Sequence, residues 1–282
     1  MKNNKTLSII TVAIIYIVAV IIGIYIYNIL EFDYWLKLLL ADIIATVFVF
    51  IFSYILKNAS VYDPYWSIQP IIIIVAYVIY YQNYLIINLL FIIVISLWGI
   101  RLTANWAYTF KNLQSQDWRY TMLKEKTKKF YPIINFIGIH MVPTLIVYSC
   151  ILPAVAVVVK KGTINIIAIL ALMLSTFAFS LQGIADIQMH KFRKAKKQGF
   201  IRDGLWKYSR HPNYLGEILM WWGIGIASVA ALNGKWYLLI GALLNTLLFI
   251  FVSIPMADKR NSKRGDMAKL KLETRMLLPI KK

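Results

Sequence analysis

Residues 7–30 read LSIITVAIIYIVAVIIGIYIYNIL, an uncharged run with MKNNKT before it and Glu31 after it. A helix rises about 1.5 Å per residue and the hydrocarbon core of a bilayer is about 30 Å thick, so roughly 20 such residues cross it. The run meets that length. A cleaved signal peptide has a shorter apolar core and ends in a small-residue cleavage site, a pattern this run lacks. It predicts a retained first transmembrane helix, about 7–29.

The rest of the chain repeats the signal. Apolar runs at 36–56, 65–81, 84–107, 131–159, 163–185, 212–232 and 236–256 bring the expected number of spans to about eight. Of 282 residues, 60% are hydrophobic and 15% charged, too apolar a balance for a soluble domain. The expectation is an all-α, polytopic membrane helical bundle. The fifth run carries Pro132, Pro143 and Pro153, which predicts a kink or a split, since proline removes a helix hydrogen bond. YYQNY (80–84) suits a short turn at the membrane interface. A single cysteine, Cys150, excludes an intramolecular disulfide. With no linker and no repeat in view, the chain reads as one integral membrane domain.

The net charge is +19, which on its own is compatible with nucleic acid. Its placement argues otherwise. Segments 104–130, 186–211 and 257–282 hold 23 of the 31 Lys and Arg residues. Eight spans put all three on one side, and the positive-inside rule makes that side cytoplasmic, together with Lys2 and Lys5. Lys160 and Lys161 fall on the other side. The reading is a multi-pass protein of the cell membrane with both termini cytoplasmic and lipids, not nucleic acid, as its surroundings.

Ionisable groups inside spans need a reason, because each costs roughly 2.5–3.5 kcal/mol at mid-bilayer on insertion scales. Asp42 reads as an interfacial residue or half of an ion pair. Asp63 sits in VYDPYWSIQP (61–70) at a helix entrance, with Pro64 suited to the first turn and Asp63 to the cap. Capping leaves Trp66 and Gln69 on the next turn unexplained. Arg101 closes LWGIRL (97–102), where it either snorkels to the surface or meets an anion.

The loop ADIQMHKFRKAKKQGFIRDGLWKYSRHPNYLGE (185–217) carries the densest chemistry. Asp186, His190 and Arg193 share one helix face. GFIRDGLW (199–206) reads as a turn, and Pro212 as the first residue of a new helix. The partial positive charge of that helix start, beside Arg210 and His211, makes an anion site. Asn213 suits an amide or a sugar hydroxyl, Glu217 a ribose hydroxyl or an arginine partner, and together these residues point to a phosphate-bearing ligand. Other motifs fail. GIGIAS (223–228) lies within a span with no strand before it, three histidines and one cysteine give no metal-ligand spacing, and neither G-x-S-x-G nor a Walker loop occurs.

LWGIRL (97–102), QDWRY (116–120), ADIQMHKFR (185–193), GLWKYSRHPNYLGE (204–217) and TRMLLP (274–279) resemble a bacterial membrane family related to steroid 5-alpha-reductases, a family built on a domain of formerly unknown function. The likeness covers about 61–279 and leaves 1–60 as N-terminal transmembrane helices. GLWKYSRHPNYLGE is specific as a whole, whereas RHPNY alone is shared with isoprenylcysteine and phospholipid methyltransferases. The resemblance implies an NADPH-dependent reductase of a carbon–carbon double bond conjugated to a ketone in a steroid-, isoprenoid- or lipid-like substrate. It places Asp186, Arg193, Tyr208, Arg210, His211, Asn213, Tyr214 and Glu217 around the cofactor, with Asp258, Arg260 and Arg275 from the tail and Arg101, Lys111 and Arg119 from the other side. ADKRNSKRGD (257–266) departs from the usual tail pattern.

The eukaryotic reductases of that group grip the substrate ketone with a glutamate and a tyrosine. Their positions correspond here to Asp63 and Trp98. Indole donates a hydrogen bond but gives up no proton at neutral pH, so either Tyr62 or Tyr65 takes over or the substrate differs. On this reading a protonated Asp63 holds the carbonyl oxygen while Trp66, Gln69 and Trp98 line an apolar pocket. A membrane methyltransferase using S-adenosylmethionine and a non-catalytic membrane protein are the alternatives.

Overall fold

The computed structural model describes residues 3–281; Lys2 and Lys282, counted above with the basic segments, lie outside them. The described chain is helical throughout, with one isolated parallel bridge, Ser209 to Arg275, and no strand. Twelve α-helices follow in order: α1 Lys5–Ile29, α2 Tyr34–Leu56, α3 Tyr65–Tyr80, α4 Ile86–Thr109, α5 Trp118–Thr127, α6 Tyr131–Ile134, α7 Val142–Lys160, α8 Ile166–Lys194, α9 Pro212–Ala231, α10 Ile240–Leu248, α11 Ile254–Asn261 and α12 Met267–Glu273. Seven helical runs among the described residues are long and apolar enough to cross a bilayer. They are α1, α2, α4, the run Trp118–Lys160, α8, α9 and the run Trp236–Asn261. The expected third span is the 16-residue α3. It is the shortest of the expected crossings, about 24 Å at 1.5 Å per residue.

The prolines of 131–159 neither split the run nor end it. Pro132 stands at the start of α6, Pro153 sits inside α7, and between those helices the backbone widens into a π-helix, Asn135–Met141. A second π-helix, Phe249–Ser253, joins α10 to α11.

The chain divides into two compact units. The first comprises residues up to Val75 together with Ile95–Leu152. Its α1 shows what lipid does to a helix. Ile10, Ile14, Ile17, Ile21 and Ile24 recur every three or four residues and are all exposed, while Val12, Ile15, Tyr16 and Ala19 are buried. One stripe faces acyl chains and the other faces protein. Tyr16 Oη donates to the Val61 carbonyl, which ties α1 to the segment between α2 and α3. At that end Asn58 Nδ2 donates to the Leu113 carbonyl (2.8 Å), Asp117 N donates to Ser60 Oγ (2.9 Å), and Lys5 Nζ donates to the Tyr108 carbonyl (3.3 Å). The N-terminus, segment 57–64 and segment 110–117 therefore share one end of this unit.

The second unit comprises Ala76–Val94 and the chain from Pro153 onward. Its centre is the pairing of α8 with α9. Ala171, Ser175, Ala178, Gln182 and Ala185 form a buried stripe on α8. A Cβ on Gly216 would lie 2.6 Å from the Ala178 carbonyl oxygen, and one on Gly223 2.6 Å from that of Ala171. Glycine is required at both positions because one backbone lies on the other, the small-residue device by which membrane helices pack. Gly223→Leu is accordingly expected to cost at least about 3 kcal/mol, read as a lowered unfolding midpoint of the purified protein. In this unit Asn83 Nδ2 donates to the Val158 carbonyl (2.6 Å) and Asn165 Nδ2 to that of Ala230 (2.8 Å), so the short loops share one end. Segments 195–211 and 257–281 occupy the other.

Candidate functional site

The basic end of the second unit is built by a tight turn. Gly199 and Gly204 have φ of 77° and 57°, the left-handed region that favours glycine. Beyond Gly204, Leu205 N donates to Gln188 Oε1 (3.0 Å) and Trp206 Nε1 to the Ala185 carbonyl (2.9 Å), which pins the turn to α8. The chain then enters α9 with Pro212 in its first turn, as the sequence predicts. The C-terminal tail crosses this point as a strap. Arg210 N donates to the Arg275 carbonyl (2.9 Å), Arg275 N to the Tyr208 carbonyl (3.2 Å), and Arg210 Nη1 to the Thr274 carbonyl (2.8 Å).

An anion does sit at the start of α9, and the protein supplies it. Asp258 of α11 places Oδ1 2.8 Å from His211 Nε2 and Oδ2 3.5 Å from Arg210 Nη2 and 3.7 Å from Lys271 Nζ. Arg210 and Asp258 line a cavity of about 1140 Å³ together with Lys259, Lys271 and Arg275. Its remaining wall is largely apolar, from Ile250, Ile254, Met267, Met276 and Leu278 among others. Arg210 Nε is buried and has no hydrogen-bond partner among the described residues. Four cations against one carboxylate, with a donor unused, suit a ligand that is anionic at one end and apolar elsewhere.

The other sequence-predicted cofactor residues of this unit divide. Tyr214 stacks on His211, ring centroids 5.2 Å apart and planes within 6°. Asn213 is half-buried beside it, and its Oδ1 has no hydrogen-bond partner among the described residues. Tyr208 contributes its carbonyl to the strap and leaves its ring exposed. None of Tyr208, His211, Asn213 and Tyr214 lines the cavity, and neither do Asp186, Arg193 and Arg260. Glu217 does not either. It is buried at 2% exposure, accepting from Gln182 Nε2 (2.7 Å) and Trp221 Nε1 (3.0 Å). A membrane span retains this glutamate because two buried donors need it. Glu217→Ala should therefore cost about 2–4 kcal/mol of stability, and Glu217→Gln less, in a thermal unfolding measurement. A ligand-binding glutamate would instead lose affinity at unchanged stability.

The first unit gathers the remaining candidates. Tyr120 Oη donates to Asp63 Oδ1, and Arg119 Nη2 lies 3.8 Å from the same oxygen while its Nε reaches Asp117 Oδ1 at 2.7 Å. Arg119 is thus engaged with two carboxylates. Burial pushes the Asp63 carboxyl up to about 6, against the opposing pull of Arg119. Burial likewise raises the neighbouring Tyr62 phenol far above its ordinary range, so it stays neutral. Tyr62 is turned to Thr144 Oγ1 at 2.7 Å. Trp98 is fully buried, its ring 5.9 Å from that of Trp66. Arg101 is half-buried on α4 and Lys111 exposed beyond it.

Two features here escaped the sequence. The tyrosine that meets Asp63 is Tyr120, not Tyr62 or Tyr65, and its signal was its place in QDWRY, one residue after the arginine. Asp42 meets neutral donors rather than a cation. It is 5% exposed and accepts from Gln69 Nε2 (2.6 Å) and Tyr65 Oη (3.4 Å). Gln69 is therefore spoken for by Asp42. The spacing of Tyr65 and Gln69, one helical turn apart, was the available clue.

A family model described as a protein of unknown function, DUF1295, matches residues 49–273. The chain belongs to the DUF1295 family. The match takes in Asp63, Tyr120, Arg210, His211 and Asp258 and stops short of Thr274 and Arg275. Among curated proteins, an uncharacterized protein of Schizosaccharomyces pombe is 28% identical over 210 residues, which is 63% of this chain and 60% of that protein. The DUF1295 chain thus spans about three-fifths of that relative's length. No solved structure matches it.

Proposed function

We propose that this DUF1295 protein is a membrane-embedded, NADPH-dependent reductase of a conjugated carbon–carbon double bond in a lipophilic enone, with its basic ends in the cytoplasm of a cell whose membrane it spans. The cavity at Arg210 carries the reading. It combines four cations, an apolar wall and a buried, unused guanidinium nitrogen, which fits a phosphate-bearing dinucleotide. Arg210, Lys271 and Arg275 would hold its phosphates. His211 holds Asp258 of the cavity wall, and Tyr214 stacks on His211. When bound, NADPH supplies the hydride.

The chain's own chemistry lies with Asp63 and Tyr120. As the β-carbon of the enone takes the hydride, negative charge grows on the carbonyl oxygen. A neutral Asp63 donates a hydrogen bond there, and its elevated pKa keeps a neutral fraction available near pH 6. Tyr120 Oη, donating to Asp63 Oδ1, fixes the carboxyl's orientation. The α-carbon then gains a proton from solvent or from this pair, and the saturated ketone leaves.

The positive-inside bias supports the orientation, since the basic segments of each unit cluster at one of its ends. Titration of the purified protein with NADPH and with S-adenosylmethionine is the test. Saturable binding of NADPH with enone-dependent oxidation supports the reductase. Binding of S-adenosylmethionine alone would replace it with a methyltransferase, and binding of neither with a non-catalytic role.

A further inference from the structure

The polar groups of the first unit continue beyond Asp63 into the membrane-spanning part. Thr46 Oγ1 and Thr144 Oγ1 lie 3.0 Å apart, and Tyr62 hydrogen-bonds to the same Thr144 oxygen. The Tyr62 ring in turn lies against His140, centroids 4.6 Å apart, and Phe50 meets His140 edge-on at 5.3 Å. His140 has no exposed surface and belongs to the π-helix Asn135–Met141. A π-helix set into a longer helical run is a local departure that recurs at functional sites.

The hydrogen bonding of His140 defines what it can take. Its Nδ1 is 2.9 Å from the Asn135 carbonyl oxygen. A carbonyl only accepts, so Nδ1 carries the proton, and Nε2 of the neutral ring presents a lone pair. That Nε2 is buried and has no hydrogen-bond partner among the described residues. Asn135 Oδ1, in a residue only 3% exposed on the same π-helix, is in the same condition. Unmet acceptors in an apolar interior are costly, and two of them on one short stretch call for a donor.

The geometry points to a binding site for a lipophilic alcohol drawn from the bilayer, whose hydroxyl donates to His140 Nε2, independently of any reductase activity. Phe50, Phe136 and Tyr62 supply the aromatic surface for its apolar body; the Phe50 and Phe136 rings lie 4.9 Å apart. Ile137 and Gly138 of the same π-helix are exposed, so the stretch borders lipid. At Gly138 an added Cβ would meet only Ile134 Cγ2, at 3.9 Å, which leaves room for an acyl chain to pass. An ether or ketone of the same shape offers only acceptors and is refused, because it leaves the imidazole lone pair unmet.

The test uses the full-length protein in nanodiscs with ¹⁵N-labelled histidine, titrated with 1-hexadecanol and, separately, with its methyl ether. The proposal expects a saturable upfield movement of the His140 Nε2 resonance with the alcohol, and an affinity for the ether at least about tenfold weaker. His140→Phe assigns the resonance and removes the response. Phe50→Ala removes aromatic surface beside the imidazole and leaves His140 in place; it weakens the alcohol several-fold while keeping the resonance, and serves if His140→Phe does not fold. Equal responses to alcohol and ether would overturn the site. So would a resonance already in its hydrogen-bonded position and unmoved by the alcohol, which would mean that a resident water meets the lone pair.

Discussion

Asp63→Asn should lower the turnover of a lipophilic enone by about 10²-fold while leaving NADPH binding intact, because the amide still donates a hydrogen bond to the carbonyl oxygen but gives up no proton, the loss typical of a positioned acid. Asparagine keeps the size of the side chain and can still accept from Tyr120, so the change isolates the carboxyl proton. Tyr120→Phe removes only the group that orients Asp63 and should cost about tenfold. Both would be read from enone-dependent NADPH oxidation across pH. Burial raises the Asp63 pKa to about 6, so its neutral form is depleted above that pH and wild-type turnover falls there. The Asn variant should show no such step. Stability follows the same sign. A carboxyl with a native pKa above its unfolded value of about 3.9 costs stability progressively as pH rises from about 4 to about 6, and the penalty stays constant above. An Asn variant as active as wild type would remove Asp63 from the chemistry.

Arg210→Ala should weaken NADPH binding by about 100-fold, measured by equilibrium dialysis of the purified protein. A buried guanidinium that makes charge-assisted hydrogen bonds carries about 1.5–3 kcal/mol per bond, and 1.4 kcal/mol is a tenfold change. The arginine holds two things at once. Its Nη1 secures the Thr274 carbonyl and its Nη2 faces Asp258, while Nε is buried with no hydrogen-bond partner among the described residues. Arg210→Lys keeps the charge but loses the fork, and should recover only part of the affinity. Raised salt should weaken the wild-type interaction further, since Lys259, Lys271 and Arg275 are exposed and their fields are screened. Undiminished binding in Arg210→Ala would place the cofactor elsewhere.

The helices were legible because lipid imposes a simple rule. Every spanning backbone must satisfy its own hydrogen bonds, so apolar length alone marks a crossing. The turn at Gly199 and Gly204 and the start of α9 at Pro212 were legible for a local reason, backbone geometry that few other residues adopt. What the sequence concealed was partner choice. Glu217 and Asp258 are both carboxylates near the RHPNY block, yet one is consumed by Gln182 and Trp221 and the other by His211 and Arg210. Trp221 lies one turn beyond Glu217 on the same helix, a spacing open to view, but Gln182 and the Asp258 pairing join helices distant in the chain, which no local spacing reveals. Asp42 was misread for the same reason, its acceptors being met from α3.

The glycine seam of α8 and α9 fixes more than a packing distance. Gly216 lies six residues beyond Arg210 in the chain, so the guanidinium is mounted on a backbone already clamped to its neighbour. Rotational play in α9 would swing Arg210 through an arc, and the seam denies it that freedom. A bulkier residue at Gly216 would therefore spoil recognition at a distance, without altering a single charge.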